Sequence, residues 1–202
     1  MDATTIWRPN AGCSIRYRSH NESIECLQEL SVVTANAPYI IFIGDSRLRQ
    51  LRDGLILELT GNDYDFQANR EAIVDPLFYK KHAASGKYYP SAGVHVWFEW
   101  FSHMDDGFGP LTNHLKKLIL SDFKPSLLVM GVGVWLMRDC HRTGVSLDAC
   151  VQRYSKEFEK LYPVLVELSA TTKMIWLPQC AVHEKKFEHV DNINVGFTNK
   201  NM

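Results

Sequence analysis

No apolar run in this sequence is long enough to cross a bilayer. The longest, Ser126 to Met137, ends at Arg138 and falls well short of the roughly 20 residues a spanning helix needs. The opening Met1-Asp-Ala-Thr-Thr-Ile6 has neither a basic n-region nor an apolar h-region, so no secretory signal is read there. The expectation is a cytosolic protein or one whose start has been removed. No charge of either sign dominates: 22 Lys and Arg stand against 23 Asp and Glu, for a net charge of -1. With the basic residues scattered, the electrostatic footprint of a nucleic-acid binder is missing, and nucleic acid is not an expected partner. The five cysteines, Cys13, Cys26, Cys140, Cys150 and Cys180, contain no C-x-x-C pair and no zinc-ligand spacing, so no metal is expected. Internal repeats and low-complexity tracts are lacking too, which leaves no sign of a solenoid or a disordered tail.

What is present suits one α/β domain. A chain of 202 residues with 46% hydrophobic content can bury a substantial core. The organising stretch is Tyr39-Ile-Ile-Phe-Ile-Gly-Asp-Ser-Arg-Leu-Arg-Gln-Leu51. Ile40 to Ile43 are β-branched or aromatic and apolar on both faces, as a buried parallel strand must be. Leu48, Leu51, Leu55, Ile56 and Leu59 then recur at helical spacing with Arg47, Arg49 and Arg52 off that face, and Gly61 suits the stop. Strand, tight turn and helix place Ser46 at or beside a helix N-cap. There, free N–H groups and the positive end of the dipole favour a developing oxyanion. The same tripeptide is also a common capping turn, with Asp45 as the turn or cap.

Residues 1–38 read as an arm with few periodic segments, anchored by Trp7. Residues 61–93 read as a long connection broken by Pro76, Gly86 and Pro90. Tyr79, Tyr88 and Tyr89 in it are candidates to stack on a sugar or are ordinary packing residues. Val94 to Phe101 is the second strand, carrying His95 and Glu99 on one face, and a helix follows from Pro110. Ser126 to Met130 is the third strand, running into Gly131-Val-Gly-Val-Trp135, where glycine permits close backbone approach. A third helix starts near Ser146, with Pro163 expected to kink or split it, and Met174 to Leu177 is the fourth strand. If the strand order is flavodoxin-like, Ser46 and Gly131 meet at the crevice between the ends of strands one and three.

Gly44-Asp45-Ser46 after a buried strand resembles the first block of the SGNH/GDSL hydrolase superfamily. The longer Phe42 to Leu51 string is similar to the lumenal catalytic domain of sialate O-acetyltransferases, with plant wall-polysaccharide O-acetyltransferases and PC-esterase-like proteins as more distant relatives. Trp7-Arg-Pro-Asn-Ala-Gly-Cys13 matches that branch's Trp-x-Pro-x-x-Gly-Cys pattern, and Gly131 to Trp135 matches its Gly-x-x-x-Trp form; Trp176 to Gln179 adds a further match. The resemblance implies a three-layer flavodoxin-like fold with a mostly parallel sheet. It also implies acetyl transfer from acetyl-CoA to a sialic-acid or other glycan hydroxyl through acetyl-Ser46, in the Golgi lumen. Membrane attachment would come only through a portion absent from this chain. With no Asn in the third block, an N–H of the Gly131 to Gly133 segment is the expected oxyanion donor. A Cys13–Cys26 disulfide within the arm, a glycosylated Asn21 in the sequon Asn21-Glu22-Ser23, and a weaker second candidate bridge, Cys140–Cys150, that would leave Cys180 alone complete that picture. Arg47 and Arg49 either meet an anionic sugar or CoA phosphates or form a solvated face.

One part of the family pattern is missing. SGNH enzymes carry Asp-x-x-His late in the chain, and no Asp or Glu here has His three residues on. Serine needs a base. The expectation is therefore a domain lacking its last strand and its base, close to inactive alone, with strand four exposed at the sheet edge. His183 and His189 are poor substitutes. A carbohydrate esterase that uses water as acceptor, and a noncatalytic lumenal module that binds glycan or a partner chain, stand as the alternatives.

Overall fold

The computed structural model describes residues 5–7, 15–16, 19–34, 37–61, 83–104 and 111–178. The order of elements is β1 (Thr5–Trp7), β2 (Ile15–Arg16), α1 (His20–Thr34), β3 (Tyr39–Gly44), α2 (Ser46–Thr60), β4 (Ser85–Tyr89), β5 (Val94–Trp100), α3 (Leu111–Leu120), β6 (Leu127–Gly131), α4 (Val134–Arg142), α5 (Leu147–Ser169) and β7 (Lys173–Trp176). β1 and β2 pair with each other. The other strands form one five-stranded sheet in the order β4-β5-β3-β6-β7. β5, β3, β6 and β7 run parallel, and β4 is antiparallel to β5 at one edge.

The expected order of the four parallel strands, second-first-third-fourth, is the observed one. β3 lies between β5 and β6, and alternate residues of β3 feed two cores. Ile41 and Ile43 pack with Leu128 and Met130, Leu111 and Leu115 of α3, and Leu161, Val164, Leu165 and Leu168 of α5. Ile40 and Phe42 pack with Val94, Val96, Phe98 and Val129 and with Leu48, Ile56 and Leu59 of α2. A strand with helices on both faces has no polar side, which explains the unbroken apolar run.

The structure departs from the sequence expectations in four places. The 61–93 connection contains the strand β4. The region before residue 39 contains the helix α1. α4 follows directly on the Gly131–Gly133 segment. α5 runs unbroken through Pro163. Pro163 removes the N–H that would bond the Glu159 carbonyl. Both residues are exposed, so water takes that bond and the helix continues.

Cys140 and Cys150 form the described disulfide, with Cα atoms 5.9 Å apart, closing a short loop between α4 and α5. Cys26 is an exposed free thiol on α1, and its expected partner Cys13, like Cys180, lies outside the described residues. Closing a loop of this size is worth about 2–3 kcal/mol. Reducing the bridge should therefore lower the melting temperature by roughly 5–10 °C for a domain of this length. Calorimetry with and without dithiothreitol, beside a Cys140→Ser/Cys150→Ser variant that is already lowered and insensitive to reductant, checks this.

Candidate active site

Ser46 is the first residue of α2, and Asp45 is its cap. Asp45 sits in extended backbone, 1% exposed, and accepts a hydrogen bond from the Arg47 N–H at 2.9 Å. The Arg47 guanidinium turns back onto the same carboxylate, with Nε 3.1 Å from Oδ1, and Nη1 donates to the Pro178 carbonyl after β7 at 3.3 Å. Arg49 faces Asp53, one turn on, at 3.6 Å. The two arginines are thus held by carboxylates of their own helix and its cap. Because Asp45 occupies the Arg47 N–H, that amide is not available to an oxyanion.

The turn before the serine depends on glycine. Gly44 has φ +150°, and a Cβ there would stand 2.3 Å from the Gly131 carbonyl oxygen on the neighbouring strand. Gly44 and Gly131 are register partners at the C-terminal ends of β3 and β6. A Cβ on Gly131 would stand 2.6 Å from the Leu177 carbonyl oxygen. Gly133, with φ +137°, begins α4 with no side-chain cap. The Tyr154 hydroxyl donates to the Val132 carbonyl at 3.5 Å, bracing this segment. Burial raises the Tyr154 pKa, and nearby Arg47 opposes the shift.

On the other side of β3, Trp100 pairs with Gly44, and the Phe101 N–H donates to the Gly44 carbonyl at 3.0 Å. Trp100 and Trp135 meet edge to face at 6.0 Å, and Arg138 lies over the Trp135 ring at 3.8 Å. His103 follows β5, and its Nε2 is 3.0 Å from Asp139 Oδ2 of α4; its Nδ1 is 3.0 Å from the Ser102 hydroxyl. Arg138 Nη2 donates to Asp139 Oδ1 at 2.9 Å. Burial pushes the Asp139 carboxyl up, but the hydrogen bond and charge of Arg138, with those of His103, outweigh it and hold the pKa below its ordinary 3.8.

Ser46, Gly44, Asp45, Gly131 and Gly133 therefore lie at one end of the sheet, the C-terminal end of its parallel strands, where α/β folds bind ligands. Tyr88 and Tyr89 do not. They pair with His95 and Val94 at the opposite end of β5, Tyr89 is 3% exposed, and the Tyr88 ring meets that of His95 at 4.7 Å, tilted by 40°. Tyr79, His183 and His189 lie outside the described residues. Glu99 accepts from the Trp97 indole at 2.7 Å, and His95 packs between Tyr88 and Phe123, so each has a partner other than the other. Asn21 is exposed in the first turn of α1. Among the described residues the Ser46 hydroxyl has no hydrogen-bond partner, no group of three His, Cys, Asp or Glu could hold a metal, and no helix is long and apolar enough to cross a membrane. The His103–Asp139 pair has no contiguous signature such as Asp-x-x-His. Its members are 36 residues apart and meet only because β5 and β6 flank β3.

His114 of α3 is half-buried beside Phe101, and among the described residues its buried Nε2 has no partner. Burial lowers its pKa, Glu99 raises it and Lys117 lowers it, with a net shift below 6.5. The folded form therefore binds the proton later than the unfolded chain. Stability is constant above about pH 6.5 and falls as pH drops from there toward the depressed folded pKa. Urea midpoints between pH 7 and 5 should fall, and less steeply in His114→Phe.

Compared with family models, with curated proteins and with solved structures, the chain gives no match.

Proposed function

We propose that this chain is an SGNH-type acyl-serine domain that moves acetyl from acetyl-CoA to a hydroxyl of sialic acid or another glycan, in the manner of the sialate O-acetyltransferases it resembles. The observation that carries the reading is the position of Ser46. It opens α2 at the C-terminal end of the central strand, beside the tight Gly44–Gly131 contact. A hydroxyl at a helix start stands next to unpaired backbone N–H groups and the positive dipole end, which favour the charge that builds on a carbonyl oxygen under attack.

In the first step Ser46 Oγ attacks the thioester carbonyl, its proton passes to a base, the C–S bond breaks, and CoA leaves as the thiol. In the second step the acceptor hydroxyl attacks acetyl-Ser46 and the serine recovers its proton. The Ser46 N–H and the amides of Gly131 to Gly133 are the oxyanion donors in this reading. The Cys140–Cys150 bridge agrees with an oxidising lumen such as the Golgi.

The test is turnover of acetyl-CoA by the purified chain with and without free sialic acid, beside Ser46→Ala. Acceptor-dependent release of CoA that is lost in Ser46→Ala is expected. Acetate release from acetylated sugar, without CoA use, would instead make the chain a carbohydrate esterase. Glycan binding unchanged by Ser46→Ala, with no turnover of either donor, would make it a noncatalytic binding module.

A further inference from the structure

β5 and β6 flank β3, so any link from the end of β5 to the helix after β6 passes over the end of β3. Two such links are seen among the described residues. One is the Trp100–Trp135 ring contact; the other is the bond from His103 to Asp139. Adjacent strands lie about 4.8 Å apart. Ser102 comes one residue after Phe101, whose N–H is bonded to Gly44, and Ser46 comes two residues after that same Gly44. The two serines thus follow neighbouring strand ends, on the same end of the sheet.

An ionised Asp139 only accepts, so His103 Nε2 carries a hydrogen toward it. In the tautomer that can act as a base, Nδ1 is the lone-pair acceptor and the Ser102 hydroxyl donates to it. Arg138, itself laid on Trp135, holds the other carboxylate oxygen. A carboxylate oriented by a second group, an imidazole oriented by that carboxylate, and a hydroxyl on its free nitrogen make up the parts of a general-base relay.

We propose that His103, held by Asp139, is the base that serves Ser46, with the Ser102 hydroxyl carrying the proton between them once bound substrate brings the two hydroxyls together; at rest the Ser46 hydroxyl makes no hydrogen bond to Ser102. This rests on the reading that Ser46 accepts the acyl group. As Ser46 Oγ forms its bond to the acyl carbon, its proton moves to Ser102 Oγ while the Ser102 proton moves to His103 Nδ1. The imidazolium is stabilised by Asp139. The same path in reverse returns the proton to the leaving thiolate, so the relay ends as it began. The chain then holds its own base without Asp-x-x-His, and the expectation of near-inactivity changes to measurable reactivity. Asp139 is a positioning residue, acting through His103.

The experiment uses the full purified chain with a fluorophosphonate probe, followed by intact mass and peptide mapping, with melting temperatures for every variant. The wild type should take one adduct at Ser46. His103→Ala should label at least a hundred-fold more slowly, with part of the rate restored by added imidazole, which a merely structural role would not give. Ser102→Ala and Asp139→Asn should each label more slowly, and Asp139→Glu should keep more of the rate than Asp139→Asn. Labelling of His103→Ala at the wild-type rate overturns the proposal and leaves the Ser46 reading standing. Slow labelling that imidazole does not restore, with a lowered melting temperature, shows the pair to be only a tie between β5 and α4 and also overturns it. An adduct on Ser102 overturns it too, since the base would then serve another hydroxyl. No adduct on any variant overturns the base, and the acetyl-CoA assay then decides separately whether Ser46 accepts acetyl.

Discussion

Ser46→Ala should leave the protein folded and remove the proposed acyl-transfer chemistry, a loss on the order of a million-fold in turnover when a nucleophilic serine is deleted from an assembled site. The two halves of this expectation rest on different observations. The chemical half follows from the position of the hydroxyl at the start of α2. The structural half follows from what the hydroxyl does not do: among the described residues it makes no hydrogen bond, and the helix is capped by Asp45 instead. Alanine at the first helical position loses no partner, so stability should change by no more than about 0.5 kcal/mol. A melting curve superimposable on the wild type, with turnover absent, is the expected pair of results. A large drop in melting temperature would mean that the serine holds the turn together.

Gly44→Ala should do the reverse and damage the fold first. The backbone at Gly44 has a positive φ that L side chains rarely adopt, which costs about 1–2 kcal/mol. The added Cβ would also stand 2.3 Å from the Gly131 carbonyl oxygen and 3.0 Å from Leu48 Cγ. The first neighbour is backbone of the adjacent strand and cannot rotate away, so β3 and β6 must separate at their C-terminal ends. A total of about 3 kcal/mol or more is expected, among the larger effects of single substitutions. For a domain of this size that is a fall in melting temperature of roughly 6–12 °C. Because Ser46 is only two residues further on, whatever remains folded should also lose reactivity. A variant that melts within about 2 °C of the wild type would contradict the close approach of the two glycines.

The parallel sheet was legible because its strands are buried on both faces. Ile40 to Ile43 and Leu128 to Met130 have no polar alternation to confuse them, and the Gly-Asp-Ser turn marks where β3 must stop. The elements that were not legible are those whose pattern is set by tertiary contacts. Among its described side chains α1 contributes Ile24 and Leu27, partly buried, to the core, so its apolar period is faint. β4 reads as a loop because Gly86 interrupts it. A Cβ at that position would stand 1.9 Å from the Trp97 ring, so glycine lets the ring cover the strand. α4 starts from Gly133 with no side-chain cap, the usual sequence signal of a helix start.

The site divides along the same line. Ser46 and Gly131 were recognisable from short contiguous strings, and the strand order brings their two ends together. The Ser102–His103–Asp139 chain has no contiguous signature. His103 is in a turn after one strand and Asp139 is in a helix after another, and no spacing rule connects them until β3 is placed between β5 and β6. The disulfide shows the same limit. Cys140 and Cys150 were the weaker pair by pattern, yet the α4–α5 connection brings them together.

The account stands or falls on whether Ser46 is an activated hydroxyl in this chain. The most direct measurement is the intact mass of the purified protein after exposure to a fluorophosphonate, run beside Ser46→Ala. The account predicts a single adduct on the wild type, mapped to Ser46 and absent from the variant. An unlabelled wild-type chain that also fails to turn over acetyl-CoA, or one whose label persists when Ser46 is alanine, would contradict it.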